Sequence, residues 1–375
     1  MTRIRFGRFV LAWAVALLAA AGWAGPSVVS GAIRVDTVAA GLDTPWALAF
    51  LPDGRMLVSE RPGRLRVIGV NGDISAPVRG VPPVHAVGQG GLLDVVLSPD
   101  FVHDRRIYFS FAQSTGAGAR TAVARAVLDA DALTLTDVHI VFGQLDDPPG
   151  GYHFGSRLAF ALDGTLFITL GERNAYRDAA QDLASHLGKI VRVDADGRVP
   201  ADNPFIGRVG VRPEIWSYGH RNVQGAVIDP VSGALWTHEH GPQGGDELNQ
   251  PPAGANHGWP VITYGREYVT GGAIGEGVAR ADVEPPRHQW TPSIAPSGMA
   301  IYAGALFPGW QGDVLVGSLK FGTLHRLRRD GGRVVGEEVL LAGVTRRIRD
   351  VRLGPEGAVY VLDESGGRVL RLSPR

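Results

Sequence analysis

WALAFLPDGRMLVSE, from Trp46 to Glu60, reads as an apolar strand, a turn and a second apolar strand. Asp53-Gly54 lies between the two runs, and an acidic residue before Gly supplies the left-handed conformation that a tight hairpin needs. The layout returns as LLDVVLSPDFVHDRRIYFSF from Leu92, SRLAFALDGTLFITLGE from Ser156, VQGAVIDPVSGALWTHE from Val223, GMAIYAGALFPGWQGDVLVGSL from Gly298 and IRDVRLGPEGAVYVLDES from Ile348. Asp163-Gly164 and Glu356-Gly357 repeat the turn in the third and sixth copies. Copies begin about 46 to 75 residues apart, near or above the ~40–50-residue period of four-stranded propeller blades once insertions are allowed.

Such a hairpin cannot bury both faces alone, so radial stacking around a channel is the arrangement that satisfies every copy and keeps strand edges short. The sequence therefore predicts an all-β fold, a six-bladed β-propeller built as one domain over residues 35–375. Long connections at about 141–157, 171–222, 238–297 and 318–349 are expected to gather as functional loops on one face, around the channel mouth. A short turn near Ala179–Leu187 is the one helical feature expected.

The bulk composition agrees and narrows function. With 375 residues, 45% of them hydrophobic and 20% charged, the chain can build a large core. The 37 basic and 37 acidic side chains cancel, which argues against nucleic acid or anionic lipid as a partner. The 52 glycines and 25 prolines suit many short strands joined by turns. Absence of cysteine excludes disulfides, thiolate metal sites and thiol catalysis.

At the N-terminus, Arg3, Arg5 and Arg8 precede an apolar run from Phe9 to about Ala24, the layout of a secretory signal over residues 1–24 whose cleavage point is left open. An uncleaved anchor is the alternative, but the run falls short of the ~20 residues a spanning helix wants. The expected mature chain is periplasmic or secreted, with no membrane span.

Reactive groups fall into five clusters: Gln89 in VGQGGL, His153 in GYHFGSRL, Arg221-Asn222 in YGHRNVQG, the stretch HEHGPQGGDE from His238, and the cationic set Lys320, Arg347 and Arg349. All lie at strand ends or in insertions and could converge on one mouth. His153 is the natural general base, because imidazole takes a proton near neutral pH; a lone loop histidine is more often structural. The cations could fork onto the carboxylates of an anionic ligand, or each could pair with a local acid such as Asp350. HGPQGGDELN, from His240 to Asn249, sets glycines beside Asp246 and Glu247, so that main-chain carbonyls and carboxylates could face a calcium ion. His238 and His240 lack a firm third ligand for zinc. No Walker loop, GxSxG elbow or dinucleotide fingerprint stands in a fitting context.

Together the clusters resemble the soluble quinoprotein glucose/sorbosone dehydrogenase family, in its periplasmic aldose sugar dehydrogenase branch. The resemblance runs from about Val35 to Pro374 and is carried by TPWALAFLPDGRMLVSERPGRL, GQGGLLDV, HFGSRLAF, HRNVQG, EHGPQGGDELN, NHGWP and RIRDV in order. It implies pyrroloquinoline quinone and calcium as cofactors, and oxidation of the anomeric hydroxyl of an aldose sugar to an aldonolactone. His153 would accept the proton. Arg221 and Asn222 would contact the quinone, Arg221 polarising it with calcium, while Lys320, Arg347 and Arg349 would bind its carboxylates or ring oxygens. Gln89 would hydrogen-bond at the sugar or quinone edge, and Tyr268 would line the pocket. The carbonyls of Gly241 and Pro242 would hold calcium at the quinone, and Glu247 with the carbonyl of His257 a calcium in the same loop region. An external electron acceptor would reoxidise the cofactor.

Two positions depart from similar proteins: Tyr152 replaces an Asp before the proton acceptor, which favours broad aldose use, and His257 replaces a Tyr. Rival readings are a calcium-dependent propeller lactonase or esterase, and a non-catalytic sugar-binding propeller.

Overall fold

The computed structural model describes residues 27–28 and 33–375; the expected signal segment lies outside them. Each of the six repeats is the inner hairpin of one blade. Blade 1 contains Pro45–Phe50, Met56–Glu60 and Arg64–Ile68. Blade 2 contains Leu92–Leu97, Arg106–Ser114, Ala119–Leu128 and Leu135–Gly143. Blade 3 contains Leu158–Phe160, Leu166–Thr169, Lys189–Val193 and Ile215–Tyr218. Blade 4 contains Val223–Ile228, Leu235–Glu239, Asp246–Asn249 and His288–Trp290. Blade 5 contains Pro296–Ile301, Val314–Ser318, Leu324–Asp330 and Arg333–Leu340, with Ser27–Val28 added in parallel. Blade 6 contains Ile348–Leu353, Val359–Asp363 and Arg368–Pro374, and its outer edge is Ile33–Ala40 from the other end of the chain.

The innermost strand of each blade touches that of the next, and that of blade 6 touches that of blade 1, so the ring closes. Pairing of Val35 with Leu372 completes blade 6 with a strand from near the opposite end of the chain and so ties that strand into the closure. The apolar core is divided among the interfaces. Six clusters each sit between consecutive blades, among them Trp46, Leu57, Phe109 and Phe111 between blades 1 and 2, and Leu315, Leu324, Val359 and Leu370 between blades 5 and 6.

The connections expected at 171–222, 238–297 and 318–349 turn out to contain the third and fourth strands of blades 3, 4 and 5. A 3-10 turn, Arg177–Gln181, overlaps the start of the helical turn expected near Ala179–Leu187, and two further short turns that were not expected, helical at Phe101–Asp104 and 3-10 at Pro308–Trp310, accompany it. No helix among the described residues is long and apolar enough to cross a membrane. Gly54, Gly164 and Gly357 have φ of 86°, 83° and 88°, as the tight turns require.

A second repeat is hidden inside the first. In five blades the register slips just after the innermost strand begins, leaving Trp46, Leu93-Asp94, Gln224, Gly298 and Arg349 opposite no partner. A bulge of this kind re-aims the extra side chain. In blade 3 Arg157 precedes the strand and joins four of the others: its guanidinium lies 4.1 Å over the Trp46 ring and bonds to Asp94 Oδ1 (3.3 Å), the Gln224 carbonyl (2.8 Å) and the Arg349 carbonyl (3.0 Å). Asp350 adds an ion pair at 3.1 Å. The bulges thus meet on the axis in a buried polar knot.

Hydroxyls stitch neighbouring blades in the same rhythm. Ser59, Ser110 and Thr169 accept the backbone N–H groups of Ala47, Asp94 and Arg157 within their own blades. Each then donates to the next blade, to the carbonyls of Leu93, Ser156 and Val223.

Candidate active site

Because the first two strands of a blade are antiparallel, the start of the innermost strand and the end of the second lie at the same edge of the propeller. The candidate residues come from those two positions. His153, Arg221 and Arg347 precede or begin inner strands, whereas Glu172, His240, Lys320 and Glu364 end or follow second strands.

His153 is 6% exposed and has φ of +51°. Its Nδ1 is 3.0 Å from Glu172 Oε1, and its backbone N–H donates to Gln89 Oε1 at 2.8 Å. Burial pulls the imidazolium pKa down, the Glu172 hydrogen bond opposes this, and the Arg221 charge reinforces it. The ring is thereby held neutral, with Nδ1–H engaged by the carboxylate and Nε2 free of any hydrogen bond among the described residues. That is the tautomer a general base needs.

Arg221 lies beside this pair, its Nε 4.0 Å from Glu172 Oε1. Its Nη1 donates to the carbonyls of His240 (3.1 Å) and Gly241 (2.7 Å), and its Nη2 to the Tyr268 hydroxyl (3.3 Å). Trp259 and Tyr268 present their rings to the guanidinium at 5.4 and 5.9 Å. Glu239 fixes the backbone below, accepting the Arg221 N–H at 2.5 Å and pairing with His220 Nδ1 at 2.8 Å.

Asn222 Oδ1 accepts from the Gly155 N–H (3.1 Å) and from Gln224 Nε2 (3.3 Å). Gln224 Oε1 in turn accepts from Arg349 Nη1 at 3.2 Å. Arg347 and Arg349 both bind Glu364 Oε2, at 2.6 and 3.3 Å, and Arg347 also donates to the Leu319 carbonyl at 3.4 Å. One contact path therefore joins His153, Glu172, Arg221, Asn222, Gln224, Arg349 and Arg347 and ends beside Lys320. Lys320 is exposed, with its ammonium 5.0 Å from the Phe321 ring and no acid paired to it among the described residues.

Asp350, the acid considered as their local partner, instead pairs with Arg157 and Arg352. Burial acts to raise the Glu364 pKa but is outweighed by Arg349, Arg347 and Arg61, so the carboxyl stays below its usual range. Arg349 itself is brought down to about 10 by burial and remains charged at neutral pH.

The glycine loop is tightly wound. A Cβ on Gly241 would stand 2.2 Å from the Gly244 carbonyl oxygen and 2.3 Å from that of Gly245, so only glycine fits. Asp246 pins the loop, accepting from Gly241 N–H, Ser293 Oγ–H and the N–H groups of Ile294 and Ala295. Glu247, His257, Glu239, Gly241 and Arg221 line one small cavity, and Pro242 is buried in the same loop. Burial and the Glu239 carboxylate push the Glu247 pKa well up, and both ring nitrogens of buried His257 lack partners. Crowded oxygens of this kind suit a hard cation. No cluster of three or more His, Asp or Glu side chains among the described residues is set to hold a metal, so carbonyls would have to supply most of the ligands.

His238 and His240 do not form a metal pair: they contact the Gly298 and Pro296 carbonyls separately. Ser217, His220 and Glu239 stand in hydrolase-like sequence, at 2.9 and 2.8 Å, but Ser217 and His220 are wholly buried and no substrate reaches them.

Glu172 and Glu364 escaped the reading of the sequence. Their signal was present, because the repeats from Trp46, Ser156 and Val223 end on Glu60, Glu172 and Glu239, and Glu364 stands near the end of the last.

Fold and mouth together define a propeller with a carboxylate-held histidine beside a cationic rim. The glucose/sorbosone dehydrogenase family profile matches residues 42–371. Aldose sugar dehydrogenase YliI of Escherichia coli (strain K12) is 47% identical over 363 residues, 96% of this chain and 96% of the relative. The crystal structure of the soluble aldose sugar dehydrogenase from Escherichia coli, in the apo-form, matches with TM-score 0.89 at 47% identity, covering 92% of this chain and 100% of that one. The PQQ-bound aldose sugar dehydrogenase of Streptomyces coelicolor matches with TM-score 0.74 at 31% identity, covering 92% and 98%. The chain belongs to the glucose/sorbosone dehydrogenase family and is an enzyme of that family.

Proposed function

We propose that this enzyme oxidises the anomeric hydroxyl of aldose sugars to aldonolactones, using pyrroloquinoline quinone and calcium, and works in the periplasm or outside the cell. The observation that carries the reading is the buried His153–Glu172 pair set beside Arg221 at a rim where Lys320 has no acid partner among the described residues and Arg347 remains partly exposed.

The fit of residues to cofactor rests on charge and shape. Lys320, Arg347 and Arg349 outnumber Glu364, so the rim can take up a carboxylate-bearing planar ligand, and the Tyr268 and Phe321 rings offer flat faces. Asn222 and Arg221 would hold its polar edge, with Gln89 at the border with the sugar. Gly241 and Pro242 carbonyls would serve a calcium at the quinone, and Glu247 with the His257 carbonyl a calcium in the same loop region. When bound, pyrroloquinoline quinone supplies a two-electron acceptor for the hydride leaving the sugar.

The chain's own work is to take the proton. His153 Nε2 receives it from the anomeric hydroxyl as the C–H electrons leave, and Glu172 stabilises the resulting imidazolium through Nδ1–H. Arg221, a fixed cation at the site, stabilises negative charge that develops on the acceptor side of the transfer. Two electrons then pass to an external acceptor. The Ser217–His220–Glu239 array lends the hydrolase alternative no support, because Ser217 and His220 are fully buried.

Dye-linked oxidation of a panel of aldoses, with the product identified as lactone or acid, tests the reading. No sugar-dependent dye reduction by folded protein supplied with quinone and calcium would defeat it.

A further inference from the structure

The segment carrying the base is held from behind by a residue that the proposed chemistry does not use. Arg173 is 3% exposed, and its guanidinium spends its donors on main-chain carbonyls: Nε on Tyr152 (2.8 Å), Nη1 on Ala119 (2.5 Å) and Nη2 on Gly150. Its plane also lies 3.9 Å over the Phe154 ring. These contacts bracket His153 on both sides, at residues 150 and 152 before it and at 154 after it.

The bracket has a backbone to restrain. His153 has φ of +51°, a conformation that a non-glycine residue rarely adopts and that persists only when its surroundings over-determine it. Arg173 and Asn174 themselves have φ of +63° and +67°, so the clamp is strained as well. Ala119 opens the third strand of blade 2, whereas Arg173 follows the second strand of blade 3, so the clamp ties the base-bearing segment across two blades. No carboxylate is hydrogen-bonded or ion-paired to Arg173 among the described residues, although Glu172 is its neighbour in the chain.

We infer that Arg173 is a positioning residue for the dehydrogenase reaction, fixing the left-handed backbone of His153 and setting a guanidinium charge against the residues on either side of it. This rests on His153 being the base. The groups that bear on the imidazole are Glu172, which favours its cationic form, and Arg221 and Arg173, whose positive charge disfavours it, while the neighbouring His240 is kept neutral by burial. A guanidinium fork does this in a way an ammonium cannot, because its planar donors reach three carbonyls and still stack on Phe154.

The test compares Arg173→Lys and Arg173→Met with the wild type, all loaded with quinone and calcium. Misplacing a reacting group by about 1 Å costs ~10²-fold, so kcat should fall by roughly that factor in both, while KM for the aldose and quinone affinity stay within about threefold. The acid limb of kcat should move to higher pH in Arg173→Met, where the charge is gone, and stay in place in Arg173→Lys. Amide exchange over residues 150–155 should quicken in both variants in the cofactor-free protein, a readout independent of turnover. Variants that lose Tm yet keep wild-type kcat and exchange over 150–155 would reduce Arg173 to an ordinary staple and overturn the inference. Failure of the wild type to oxidise aldoses would instead count against the proposed function, with the exchange result still deciding the clamp.

Discussion

His153 Nδ1 lies 3.0 Å from Glu172 Oε1, with the Arg221 Nε atom 4.0 Å from the same oxygen. A carboxylate thus orients the imidazole while an arginine keeps its proton affinity in check. Removing the ring with His153→Ala should lower kcat by about 10²–10⁴, the usual contribution of a general base, and leave quinone binding intact. Stopped-flow turnover together with a cofactor titration checks both halves.

The direction of the His153 shift sets a pH profile. Only neutral imidazole accepts the proton, and burial keeps the ring neutral below its ordinary value of 6.5. The acid limb of kcat should therefore fall below pH 6.5. Glu172→Gln removes the group that favours the cation, so the limb should shift lower still as kcat drops. An acid limb above pH 6.5 in the wild type would contradict the assignment.

Arg347 and Arg349 share Glu364 but differ in burial, and their variants should separate accordingly. Arg347→Ala leaves Glu364 its second cation, so quinone affinity should weaken roughly 10- to 100-fold, as for loss of a charge-assisted hydrogen bond, with Tm little changed. Arg349→Ala breaks a buried pair and strips Gln224 of its donor, so Tm should fall along with affinity. Isothermal titration beside thermal melts distinguishes the two.

The hydroxyl stitch makes a prediction about stability alone. Ser110→Ala would orphan the Asp94 N–H and the Ser156 carbonyl, both buried between blades 2 and 3, at a cost of about 1–3 kcal/mol. Denaturant melts should show that loss while kcat per folded molecule is retained.

Calcium should act on the loop around Glu247. Addition of the ion should raise Tm, by linkage about 2.7 kcal/mol of stability at 100 times its Kd, and a chelator should reverse it. Glu247→Gln should blunt that response. An identical calcium response in Glu247→Gln would place the ion elsewhere.

Much of this was legible in the residues. The inner hairpins carried the blade count because they are buried on both faces and therefore largely apolar, with Asp-Gly or Glu-Gly turns marking the tips of three of them. The outer strands were read as connections because their composition is polar, as in Arg333–Leu340, where alternating exposure leaves little apolar signal. Closure by Ile33–Ala40 was hidden for a different reason: its partner lies at the opposite end of the chain, and no local pattern encodes that. Of the site residues named from the sequence, His153, Arg221, Asn222, Arg349 and Arg347 fall along one path that ends beside Lys320, while Gly241, Glu247 and His257 line a small cavity with Arg221. Glu172, Glu364 and Gln224 were missed because a carboxylate or amide shows its role only through what it touches. The bulges that aim Trp46, Gln224 and Arg349 inward leave no mark in composition at all.

Sugar oxidation by the purified cofactor-free protein, with pyrroloquinoline quinone and calcium added separately and together, tests the central claim most directly. Dye reduction that requires the quinone, is enhanced by calcium, depends on an aldose and disappears in His153→Ala is the predicted result. Dye reduction without quinone, or none with both cofactors bound and the protein folded, would contradict it.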